Sequence, residues 1–194
     1  HESIRETCDQ YQIPCIMTSS QCATSTQRVW QAAQSLEADL YVCVNGDEPL
    51  IDPKVVEQVI PGSLDGFFAA NLMAPIHSPV EAVDDTNIKV VADGEGNALF
   101  FSRSPIPHPK ASVEYEFYKH LGVLCYTREA LEFFDTTPKG SLEAIEDINE
   151  LRFIEHGKKL KMVPVEAKSL SVDTPKDLEY VRGVLRKKLE RGEI

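Results

Sequence analysis

Leu40-Tyr41-Val42-Cys43-Val44-Asn45-Gly46-Asp47-Glu48-Pro49 decides the fold: five apolar residues, then a polar turn-forming run that carries two carboxylates. A continuous apolar stretch of this length is predicted to be a strand buried on both faces, as in the sheets of α/β proteins. Downstream, Asp52 can cap and Pro53 open a helix through Val55, Val56 and Val59. Upstream, Thr24 or Ser25 can cap a helix through Val29, Trp30, Ala32, Ala33 and Leu36. Residues 2–11 also read as a helix, and residues 13–18 as a short strand with Pro14 near its beginning. Such alternation specifies an α/β protein.

Farther along, the pattern turns antiparallel. Residues 67–73 read as a strand, and Lys89-Val90-Val91-Ala92 and Ala98-Leu99-Phe100-Phe101 flank Asp93-Gly94-Glu95-Gly96-Asn97 as a hairpin. Pro105, Pro107 and Pro109 break the chain before residues 121–126 resume strand character. Ser141 starts a helix with Leu142, Ile145, Ile148, Leu151 and Phe153 on or near one face, ending at Gly157, and residues 160–165 form a strand. Thr174 is a natural N-cap and Pro175 a natural first residue for a helix carrying Leu178, Val181, Val184 and Leu185 and closing near Gly192. No repeat, low-complexity tract or Gly/Ser linker divides the chain, so residues 1–194 are expected to form one domain, with residues 88–126 as an antiparallel excursion.

The 194 residues, 42% hydrophobic and 26% charged, suffice for a substantial core. Twenty Lys and Arg against 31 Asp and Glu leave a formal net charge of −11, which argues against an extended nucleic-acid-binding face. Anionic small molecules remain possible ligands where a metal ion or a few placed cations reverse the field. No stretch approaches the ~20 apolar residues of a membrane span, and the first residues lack the apolar segment of a signal peptide, so a cytoplasmic protein is expected. Cys8, Cys15, Cys22, Cys43 and Cys125 contain no C-x-x-C pair and are expected to be reduced and mostly buried, with Pro14 preventing one helical face from carrying the first three.

In open α/β sheets ligands collect beyond the carboxyl ends of the strands, where Asp47 and Asp173 fall. Two carboxylates from distant sequence positions suit a Mg²⁺ ion that takes its other ligands from water and phosphate. The same residues also have a purely structural reading, Asp47 shaping a turn and Asp173 preceding a helix N-terminus.

The chain resembles the 3-deoxy-manno-octulosonate (KDO) cytidylyltransferases, relatives of the acylneuraminate cytidylyltransferases. The resemblance rests on Met17-Thr18 with Thr26-x-Arg28, on Val44-x-Gly46-Asp47-Glu48-Pro49-Leu50-Ile51, and on Ala74-Pro75-Ile76 followed by Lys89-Val90-Val91. It continues through Phe101-Ser102-Arg103 with Ile106-Pro107, His120-Leu121-Gly122, Leu142-Glu143 with Leu151-Arg152, and Val172-Asp173-Thr174-Pro175. These segments span nearly the whole chain in the family's order.

The resemblance implies a Rossmann-like, GT-A-like nucleotidyltransferase: a three-layer α/β sandwich that passes CMP from CTP to the anomeric hydroxyl of an acidic sugar and releases pyrophosphate. It implies Mg²⁺ held by Asp47 and Asp173, the catalytic pair. It places Arg28 near the nucleotide and Arg103 and His120 at the sugar acid, with Arg103 pairing with the sugar carboxylate and His120 donating to a hydroxyl or carboxylate. A homodimer through residues 88–126 is a further implication. The family's first strand and its Arg- and Gly-bearing triphosphate loop have no counterpart here, so a fragment is expected. Where the family has Gln, this chain has Asn45; its Glu-Gln before Leu-Arg becomes Asn149-Glu150, and a usual Trp becomes His108. All three substrate-side changes leave open a different acidic acceptor, such as a nonulosonic acid or a phosphonate, or a catalytically silent nucleotide-sugar-binding module.

Overall fold

The computed structural model describes residues 1–111, 115–167, 171–172 and 174–192. Six strands form one sheet: β1 (Tyr41–Val44), β2 (Ala69–Pro75), β3 (Lys89–Ala92), β4 (Ala98–Ser102), β5 (Tyr118–Tyr126) and β6 (Lys161–Pro164). The path runs β4-β3-β5-β2-β6, with β1 also on β5. Among the described strands only β2 and β6 pair in parallel; the other pairings are antiparallel.

β5, the longest strand, organises the sheet. β2 lies along one flank, and the other is shared, β1 pairing with Val123 to Tyr126 and β3 with Tyr118 and Lys119. Where β1 and β3 diverge, Asn45 N donates to Gly122 O at 2.8 Å and His120 N to Ile88 O at 2.9 Å. Opposite this fork the β2–β5 register shifts between Asn71 and Met73.

Alternation along the strands feeds two apolar layers. Ala69, Met73, Leu124 and Tyr126 face a cluster completed by Ala33 of α2 (Ser25–Ala33), by Leu131 and Phe134 of α5 (Arg128–Thr136) and by Phe153 of α7 (Leu151–Glu155). Ala70, Leu72, Val123 and Cys125 face the other layer, with Val55 and Val56 of α3 (Pro53–Val56) and Val59 of the following 3₁₀ turn. This is the expected α/β sandwich. The hairpin forms as expected, its tip closed by Gly96 at φ 76° and by Asp93 Oδ1, which accepts from the amides of Glu95 and Asn97.

The first and last elements are helices: α1 is Glu2–Gln10, and α8 is Pro175–Glu190, where Thr174 and Asp177 complete a capping box. Asp52 caps α3 as its sequence predicts.

Four expectations are corrected. Residues 13–18 form no strand, and Ile13, Ile16 and Met17 are exposed. β1 is not buried on both faces: it pairs with β5 alone among the described strands, and Val42 and Val44 are 38% and 41% exposed. The helix read from Ser141 to Gly157 is two, α6 (Ser141–Glu146) and α7, because Asp147 turns left-handed at φ 53° and redirects the chain. Finally, Cys125 is the only buried cysteine; all five are free, and Cys15 is exposed.

Candidate active site

The fork between β1 and β3 opens into a cavity of about 310 Å³. Its walls are the turn after β1 (Asn45, Asp47, Glu48), the segment Thr86 to Ile88 before β3, the Lys119 to Gly122 stretch of β5, and Asp177, Tyr180 and Val181 of α8. Strand ends, a loop and a helix N-terminus thus converge where two strands part, a position that leaves room for a ligand without disturbing the sheet.

The turn is built from its own residues. Glu48 N donates to Asn45 O at 3.2 Å, and the Glu48 carboxylate, 9% exposed, accepts from Gly122 N at 3.3 Å. Asn45 packs so closely on Gly122 that a Cβ there would lie 2.8 to 3.0 Å from the Asn45 side chain. Val172 N donates to Asp47 O at 2.9 Å, bringing together the two segments that carry the predicted aspartate pair. Asp173 itself lies outside the described residues. Asp47 Oδ1 is buried without a hydrogen-bond partner, the one such side-chain atom among the described residues. A buried carboxylate oxygen in that state is costly unless a cation or donor meets it.

His120 lines the cavity from β5, its Nδ1 at 2.8 Å from Asn71 Oδ1. Its neighbour Lys119 donates to Glu81 at 2.6 Å and to Asn87 at 3.3 Å. Burial works against the Glu81 carboxylate, but the Lys119 ammonium and the His77 amide outweigh it and hold Glu81 below its usual range.

The other predicted substrate residues lie apart from the cavity lining. Arg28 donates to Thr18 Oγ1, Ser19 O and Cys22 O, each at 3.0 Å, and folds the exposed loop before α2. Arg103 is a clasp: its guanidinium donates to the carbonyls of Glu146 at 2.8 Å, Asp85 at 3.0 Å and Asp147 at 3.3 Å, and its own N–H to the Glu146 carboxylate at 2.9 Å. It thereby ties the α6–α7 corner to the segment just before Thr86. Asn149 and Glu150 lead into α7. Glu150 is buried, and its charge reaches Cys43, whose thiol is pushed up to about 11, first by burial and then by Glu150. The Cys43 sulfur is 4.0 Å from Asn45 Oδ1, so Glu150 borders the site through Cys43.

Of the predicted set, then, Asn45, Asp47 and His120 share the cavity. Sequence reasoning missed Asn71, Glu48, Asn87, Lys119 and Tyr180. Asn71 had a legible signal, as a polar residue inside the apolar run of β2; the others gather only through the fold.

Comparison with known proteins gives the family. Residues 1–160 match the cytidylyltransferase family profile. The chain is 37% identical over 192 residues to the 3-deoxy-manno-octulosonate cytidylyltransferase 2 of Hydrogenovibrio crunogenus, covering 95% of this chain and 77% of that one. It is 41% identical over 172 residues to the 8-amino-3,8-dideoxy-manno-octulosonate cytidylyltransferase of Shewanella piezotolerans, covering 84% and 69%. A solved structure of a CMP:2-keto-3-deoxy-manno-octonic acid synthetase complexed with CTP superposes with a TM-score of 0.90 at 31% identity, over 97% of this chain and 78% of that one. Sequence and fold agree over nearly the whole chain, which therefore belongs to the cytidylyltransferase family.

Proposed function

We propose that the protein transfers CMP from CTP to the anomeric hydroxyl of 3-deoxy-manno-octulosonate or its 8-amino-3,8-dideoxy counterpart, releasing pyrophosphate. The observation that carries this reading is the 0.90 TM-score over 97% of the chain to a synthetase complexed with CTP. Relatives named for the two sugars match at 37% and 41% identity, which supports the acceptor class and leaves the choice within it to experiment.

The charge of the cavity supports a metal ion. Asp47, Glu48 and Asp177 line it against the one ammonium of Lys119, and such a lining repels a triphosphate and a sugar acid unless a cation intervenes. Asp47, with its unpartnered buried oxygen, fits as one ligand, and Asp173 is proposed as the other. Mg²⁺ bound there would neutralise phosphate charge and polarise the reacting phosphoryl group. The protein's own residues supply placement: Asn45, just past the end of β1, and His120, within β5, line the cavity where the strands fork. Arg103 is proposed to act through the segment before Thr86 that it braces, and Arg28, Asn149 and Glu150 remain proposed substrate residues outside the cavity lining. The cytoplasm is proposed as the compartment, and residues 88–126, with Leu99 exposed on the edge strand β4, are proposed as the homodimer contact.

The test is pyrophosphate release from CTP and Mg²⁺ with each sugar separately, for the protein and for Asp47→Asn. The expected result is turnover of one sugar by the protein and a loss on the order of 10²-fold or more in the variant, with an unchanged circular dichroism spectrum. Full activity in Asp47→Asn would refute the metal assignment. Silence toward both sugars with CTP binding retained would favour a catalytically inactive nucleotide-binding module.

A further inference from the structure

Asn71 is fully buried in β2, and its amide nitrogen donates to Leu121 O at 2.8 Å and Val123 O at 2.9 Å. Carbonyl oxygens only accept, so the amide can point its NH₂ nowhere else, and Oδ1 is the atom that meets His120 Nδ1. An amide oxygen cannot donate, so the hydrogen in that contact belongs to Nδ1. In the neutral imidazole Nε2 is then an unprotonated acceptor. No described residue hydrogen-bonds Nε2, and His120 lines the cavity. The ring is further held by Phe101, edge-on at 6.3 Å between centroids and 85° between planes.

We infer that Asn71 is a positioning residue that fixes His120 as its Nδ1–H tautomer, so that Nε2 accepts a hydrogen bond from a hydroxyl of the acceptor sugar. This rests on the reading that the cavity receives that sugar. It reverses the polarity expected from sequence, in which His120 donates to a hydroxyl or a carboxylate: a carboxylate offers no hydrogen to an unprotonated nitrogen and does not fit against the neutral ring. The register shift of β5 against β2 is the structural origin, because it turns two carbonyls of β5 toward one side chain of β2.

The test uses the full chain labelled with ¹⁵N histidine, at a pH where the ring is neutral, with the His120 signals identified by their loss in His120→Gln. Nδ1 is expected to be protonated and Nε2 bare, and added acceptor sugar is expected to move the Nε2 resonance. A protonated Nε2, or an Nε2 signal indifferent to saturating sugar, overturns the inference. Kinetics give an independent reading. A Gln amide reaches the place of Nε2 and an Asn amide only that of Nδ1, so His120→Gln is expected to keep the sugar KM within a few-fold. His120→Asn is expected to raise it about tenfold, the loss of one hydrogen bond, with KM for CTP unchanged. Equal defects in the two variants count against Nε2 as the working atom. In Asn71→Leu the ring is expected to lose its single tautomer and the sugar KM to rise; if that variant does not fold, the spectrum of the unaltered protein still decides. Failure of every sugar to turn over while Nε2 is bare and responds to sugar counts against the transfer reaction alone, not against this inference.

Discussion

Two residues without long side-chain reach shape the cavity. Gly122 is one: its amide reaches Glu48, its carbonyl receives Asn45 N, and its missing Cβ leaves the space that Asn45 fills. Gly122→Ala would drive a methyl group into Asn45. The expected outcome is an Asn45 side chain displaced into the cavity and a KM for at least one substrate raised several-fold. Overpacking is expected to cost about 1–3 kcal/mol in urea unfolding, and unchanged KM values for both substrates would show that Asn45 touches neither. Asn45 itself was visible as a departure from the family's Gln. Its tight seat on Gly122 was not, because that contact joins residues far apart in sequence across two strands.

Elements bring the rest of the site into place through their ends rather than their middles. α8 offers Asp177, Tyr180 and Val181 to the cavity from its first turns, and the Thr174–Asp177 capping box sets where it begins. Thr174→Ala is expected to cost about 1 kcal/mol of stability by urea denaturation and to weaken substrate binding, since the first turn frays beside the cavity. A stability change with unaltered KM would mean that the wall at α8 does not depend on its cap. This start was legible from Thr174-Pro175, as was that of α3 from Asp52-Pro53, because caps and helix-opening prolines are local chemistry. The break between α6 and α7 was not. Its apolar spacing reads as one face, but Asp147 adopts a left-handed conformation, and the Arg103 clasp on the Glu146 and Asp147 carbonyls accepts a corner there.

Across the whole molecule, one buried ion pair locks the layer behind the site. Arg152 binds Glu143 through both carboxylate oxygens, at 2.7 and 2.6 Å, donates to the carbonyls of Phe134 and Thr137, and lies 3.9 Å from the Phe134 ring centroid. It joins α6, α7 and the end of α5. Glu143→Ala is expected to destabilise the protein by about 3–5 kcal/mol in urea unfolding, because it strands the Arg152 charge among apolar groups. A loss below about 1 kcal/mol would show that water reaches the guanidinium in the folded protein. On the single helix that the sequence predicts, Glu143 and Arg152 stand nine residues apart on opposite faces, so nothing in their spacing paired them.

The sequence by itself determined the α/β class, the hairpin, the caps of α2, α3 and α8, and the family, since each rests on local propensity or on an ordered set of short motifs. It also singled out Asp47, whose buried, unpartnered oxygen suits the metal-ligand reading. Only the tertiary structure decided which candidates meet. The divergence of β1 and β3 along β5 assembles Asn45, Asp47 and His120 around one cavity, sets Arg28 and Arg103 to bracing loops, and enlists Asn71 to orient His120. The physical reason is that strand pairing and register are non-local. A shift of register between two strands leaves no trace in the periodicity of either, yet it fixes which carbonyls and side chains face each other.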